Sequence, residues 1–173
     1  MKEIKEYDVA AKKFYDSQQC KSLPLESWDI FATQFGILSE RLKELTTLKH
    51  MAATKKWYDT TFFEDKILDK NLIVLVTDTQ LNIVHASKNI FYMNGYRPSE
   101  IIGKKPKIFQ GKKTCKTTAF KLREAVVAQE PFEATILNYR KNGSLYNCWI
   151  KGVPIKDTKG KVVNFIAFER EIA

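Results

Sequence analysis

Apolar residues follow one rhythm in the first part of the chain and another in the second. Between residues 2 and 16, Ile4, Tyr7, Ala11 and Phe14 recur at steps of three and four, the spacing of one helix face. Pro24 and the serines of QQCKSLPLES interrupt that pattern. A second helix is predicted from about Trp28 to Leu48, with Ser27 as its N-cap. Its apolar stripe, Trp28, Phe31, Phe35, Leu38, Leu42 and Leu45, steps alternately by three and four like a heptad seam, opposite a charged face of Glu40, Arg41, Lys43 and Glu44. Rings this large need a cover. Either the first helix or a second copy of the chain would supply it. Residues 51–70 read as a mixed linker with a short amphipathic piece around Trp57 to Leu68.

From residue 71 the period changes. LIVLVTD reads as a buried strand and LNIVHAS as a second, joined by a short connection. Short helical pieces follow in KNIFYMNGY and PSEII, then a longer helix from about Thr114 to Gln129. FEATILNYR and SLYNCWIKGVPI alternate as strands about a KNG turn, and KGKVVNFIAFEREI closes the set. Two strands, several short helices and three strands make an α+β pattern, an antiparallel sheet with helices on one face. The expected division is a helical extension over 1–70 and a domain over 71–173.

The 173 residues are 44% hydrophobic and 28% charged, an ordinary globular composition. No apolar run approaches the length of a membrane helix, and the charged start is no secretory signal. A cytoplasmic protein without membrane contact is expected. Cys20, Cys115 and Cys148 form no CxxC pair, so neither a disulfide framework nor a zinc site is indicated. Residues 1–70 carry 12 basic and 12 acidic side chains, whereas 71–173 carry 17 and 8, which holds the whole net charge of +9. Lys104, Lys105, Lys107, Lys112, Lys113, Lys116, Lys121 and Arg123 occur with no acidic residue among them. Such a field attracts anions. Phe109 and Phe120 beside it read as core positions, so a stacking platform for nucleic acid is not the expected use.

The segments NGYRPSEIIGKKP, NYRKNGSLYN and VPIKDTKGKVVNFIAFEREIA, in this order, resemble the PAS domain family over about residues 70–173. The resemblance implies a five-stranded antiparallel sheet with short helices on one face. It also implies flanking helices that dimerise or carry a signal. Within the family, Gly103–Gln110 resembles the box of the light-oxygen-voltage subfamily that precedes the long helix. The adduct cysteine of that box is replaced by Pro106, which has no nucleophile. Lys107 stands for a phosphate-binding arginine, Phe120 for a second one, Lys105 for the box asparagine, and Gln110 closes the box.

The resemblance also places Asn138 and Asn147 at the ring-binding asparagines of the hairpin, and Glu169 at a final-strand glutamine. What it implies is a cytoplasmic sensor that binds a small ligand or a flavin such as FMN, without cysteine-adduct chemistry, and signals to another protein. The alternative is a cofactor-free interaction module. Haem would need an axial ligand, and the histidines, His50 and His85, offer little. No Walker loop, nucleophile elbow or paired-histidine motif suggests an enzyme. The chain ends where the domain ends, which suggests either no output domain of its own or a place within a longer protein.

Overall fold

The computed structural model describes residues 25–69 and 71–172. The helix expected over 2–16 lies outside the described residues, as do the side chains of Trp28 and Phe31. The elements run α1 (Leu25–Lys55), α2 (Thr61–Leu68), β1 (Ile73–Asp78), β2 (Ile83–Ala86), α3 (Ile90–Asn94) and α4 (Pro98–Ile101). A 3-10 turn (Pro106–Phe109) follows, then α5 (Lys116–Ala128), β3 (Phe132–Tyr139), β4 (Leu145–Lys156) and β5 (Val162–Ile172). The strands form one antiparallel sheet in the order β2-β1-β5-β4-β3.

Turn chemistry fixes this sheet. In the β3–β4 hairpin, Gly143 takes the left-handed conformation at φ 85 that a side chain would resist. The Arg140 amide donates to Ser144 O at 2.8 Å, closing the loop so that Asn138 stands opposite Tyr146. Between β4 and β5 the Asp157 carboxylate accepts from the amides of Lys159 and Lys161. Gly95, at φ 77, ends α3.

The sheet is covered on both sides. The described residues from Glu40 onward form one compact unit that includes the second half of α1, and Leu25–Ser39, its first half, fall in another. On the inner face, α3, α4, the 3-10 turn and α5 cover Ile73, Leu75, Ile136, Tyr146 and Cys148, with Ile83, Ile90, Ile101 and Phe109 filling the layer. On the outer face, Leu48 and Ala52 of α1 and Phe63 and Ile67 of α2 pack with Trp57 on Val74, Val76, Ile155, Ile166 and Phe168. Trp57 anchors this layer by donating from Nε1 to Asn164 Oδ1 at 3.1 Å.

The second helix is longer than its apolar stripe suggests, and its docking face lies one step round from that stripe. Leu38 and Leu42 are exposed, whereas Arg41 and Glu44 are buried beside Leu48 and Ala52. The reason is an ion pair: Arg41 Nη1 meets Glu44 Oε2 at 3.1 Å and also donates to Asn89 Oδ1 at 3.3 Å. Glu44 Oε1 in turn accepts from the Lys88 amide at 2.7 Å.

Candidate functional site

Strand alternation decides which side chains meet between the sheet and the short helices. On β3, Ile136 and Asn138 face inward. On β4, Tyr146, Cys148 and Ile150 do. On β5, Ala167 and Glu169 do. Asn147 does not join them. Its ladder partner is Leu137, one residue away from Asn138, so its side chain emerges on the opposite face and is exposed. The five-residue connection, residues 140–144, sets that register, and a shift of one residue exchanges the faces. The inner positions flanking Asn147 are Tyr146 and Cys148, so the face presents a phenol and a thiol where a second amide was expected.

Asn138 and Glu169 are brought together. Both are 3% exposed, as is Tyr146 between them, and Asn94 at the end of α3 is 0% exposed. Three polar atoms here have no hydrogen-bond partner: Asn94 Nδ2, Asn138 Oδ1 and Tyr146 Oη. The asparagine side chains lie near enough to the phenol to favour its ionised form, and the Oδ1 of Asn94 accepts from the Tyr96 amide at 3.1 Å. Burial dominates and pushes the Tyr146 phenol up; it does the same to the Cys148 thiol, reinforced by the neighbouring Glu169. Burial also raises the Glu169 carboxyl to about 7. Its contact is Cys148 Sγ–H, which donates to Oε2 at 3.8 Å.

The box residues sit on the rim of this face. Gly103 and Lys104 are tied to β2 by the pair Gly103 N to Ile83 O and Ile83 N to Lys104 O, each 2.8 Å. Pro106 opens the 3-10 turn, where its fixed φ is tolerated, and Phe109 turns inward against Tyr96. Lys107 is exposed on the turn and Gln110 is half-buried at its end. Phe120 is not a core residue: it is 59% exposed on α5. The lysines from Lys104 to Lys121 are exposed and make no ion pair among the described residues.

Sequence reasoning missed Asn94 and Tyr146. Tyr146 was visible in the alternation Tyr146, Cys148, Ile150, but a tyrosine at a core position reads as packing. Asn94 carried no signal, because only the fold brings α3 over the sheet. Among the described residues no group of three metal-ligating side chains occurs, and no helix is long and apolar enough to cross a membrane.

An antiparallel five-stranded sheet in this order, with short helices over a mixed polar and apolar inner face, defines an α+β class of domain. The chain belongs to the PAS domain family, whose profile matches residues 71–173. It is 36% identical over 91 residues to phototropin-2 of Oryza sativa subsp. japonica, covering 53% of this chain and 10% of that protein. It is 39% identical over 93 residues to protein TWIN LOV 1 of Arabidopsis thaliana, covering 53% and 23%. The chain thus spans less than a quarter of the curated relatives it matches. The fold superposes on the dark structure of the blue-light photoreceptor Aureochrome1 LOV with a TM-score of 0.61 at 24% identity, covering 66% of this chain and 85% of that one. This is a PAS sensory domain with light-oxygen-voltage relatives in sequence and structure.

Proposed function

We propose that residues 71–173 hold a planar ring ligand of the flavin type against the inner face of the sheet, and that ligand occupancy is passed to another protein. The supporting observation is the set of unpaired polar atoms on Asn94, Asn138 and Tyr146. An unsatisfied buried donor or acceptor costs about 1–3 kcal/mol. A ring ligand on this face would supply partners to all three. A flavin's pyrimidine edge carries donors and acceptors, and the face offers both kinds: amide N–H, amide oxygen, phenol and carboxyl.

In this reading Asn138 and Glu169 hold the ring edge with Tyr146 and Asn94. Gln110 closes the rim, and Lys107 holds a phosphate as a point charge rather than a planar fork. A bound flavin supplies visible-light absorption and redox chemistry. Pro106 leaves the box without a thiol, so no adduct forms from that position. Self-association is assigned to α1, where Leu38 and Leu42 lie exposed one turn apart; Leu38→Glu with Leu42→Glu should give monomers by light scattering.

The absorption spectrum of the purified protein tests the ligand class. A banded blue-absorbing spectrum, or its appearance on adding FMN, is expected. Asn138→Ala should weaken FMN binding about tenfold, the worth of one buried hydrogen bond. Lys107→Ala should weaken FMN and leave riboflavin, which lacks the phosphate, unchanged. A colourless protein that takes up neither compound is the cofactor-free interaction module instead.

A further inference from the structure

We propose that Glu169 meets the ligand as a neutral carboxylic acid, and that its proton is a required hydrogen-bond donor selecting an uncharged ring edge with an acceptor at that point. The proposal rests on the reading of the inner face as a ligand site.

The surroundings of Glu169 leave an ionised carboxylate without support. Across the ladder its neighbours are Ile73 on β1 and Ile150 on β4, both aliphatic. The titratable groups facing it are Cys148 and Tyr146, both on β4, and burial holds each in its neutral form. From α3 the uncharged Asn94 reaches the Tyr146 hydroxyl. Arg140 lies over the Tyr146 ring at 4.8 Å, with its guanidinium paired to Glu171 at 2.6 Å rather than to Glu169. Cys148 offers a weak donor at 3.8 Å. Burial without a cation favours the protonated form, and the Glu169 carboxyl accordingly titrates near neutrality rather than in the usual carboxylate range.

Protonation changes what this position can recognise. A carboxylate only accepts, whereas a carboxylic acid donates one O–H and accepts at the other oxygen, as an amide does. Around it, Asn94 Nδ2 is an unused donor and Asn138 Oδ1 an unused acceptor. The matching ligand edge is an imide: carbonyl oxygens for Glu169 and Asn94, and a ring N–H for Asn138. Flavins, pteridines and uracil-like rings carry that edge. Linkage requires that a ligand held by the proton also holds the proton, so ligand affinity and Glu169 protonation strengthen one another.

The experiment is a fluorescence titration of the protein with riboflavin and with FMN between about pH 5.5 and about pH 8.5. Affinity should be level on the acid side and fall about tenfold per pH unit above about pH 7. Glu169→Gln should hold, at every pH, the affinity that the wild type shows only when acid. Independently of any ligand, infrared spectra should show a protonated carboxyl stretch near pH 6 that fades on the alkaline side and is missing from Glu169→Gln. Level binding by the wild type across the range, or no such band at the acid end, overturns this proposal alone. No binding of either compound by either protein at any pH overturns the ligand reading, and this proposal with it.

Discussion

At the scale of single residues, a carboxyl on the middle strand of a sheet is an electrostatic load on folding. Glu169 is fully enclosed, and its folded value of about 7 lies well above the ~4.3 of an unfolded glutamate. The folded state therefore binds a proton that the unfolded state has released between those two values. Stability falls as pH rises through that window and levels off above about 7. The full difference is on the order of 3 kcal/mol. Glu169→Gln keeps the shape and abolishes the titration. Its urea midpoint relative to wild type should rise between about pH 4.5 and about pH 8, and a constant difference would contradict the buried-acid description.

Tyr146 gives the complementary case. Its hydroxyl is buried without a partner, so Tyr146→Phe should stabilise the ligand-free protein by about 1 kcal/mol while weakening ring binding. A loss of stability would mean that the hydroxyl is satisfied. The family's words marked Asn138 and Glu169 as expected ring contacts, and both are buried on the inner face. Asn147 was not placeable that way, because its face depends on a hairpin register that the words do not encode.

At the scale of elements, α1 shows what hydropathy can and cannot convey. The helix itself was plain in the three-and-four spacing. Its docking face was not, because two of the residues that face inward, Arg41 and Glu44, are charged. Their burial makes sense only with the groups they meet: each other, Asn89, and the Lys88 amide. Removing one member of a buried pair strands the other and typically costs about 3–5 kcal/mol. Glu44→Ala should fall near the lower end of that range in urea unfolding, since Arg41 retains Asn89. It should also speed amide exchange in the stretch from Glu40 to Lys55. The double replacement Arg41→Met with Glu44→Leu should recover most of the loss, because packing then substitutes for the pair. If Glu44→Ala is neutral, the pair does not dock the helix. The outer-face role of Trp57 and α2 was similarly hidden: the amphipathic piece was visible, but besides Val74 and Val76 of β1 its partners are Ile155 of β4 and Ile166 and Phe168 of β5, far along the chain.

At the scale of the whole molecule, the order of strands and short helices was legible because turn residues, strand alternation and the family's words all agreed. What only the fold supplies is an element in contact with both faces of the sheet. The five-residue helix α3 touches both. Asn94, at its end, points an unused amide N–H into the inner face. Asn89, just before its start, receives Arg41 of α1, accepts from Ser87 Oγ at 2.6 Å and donates to Leu72 O at 2.9 Å. A ligand that engages Asn94 therefore acts on the same short element that carries the α1 anchor. Saturating flavin should change amide exchange of residues 40–55, which line no part of the inner face. Asn89→Ala should keep flavin affinity within about twofold yet lose that change, because the coupling free energy depends on the anchor and the binding free energy does not. A response of α1 that survives in Asn89→Ala would show that the signal leaves the domain by another route, and the exposed Leu38 and Leu42 would then need a different account.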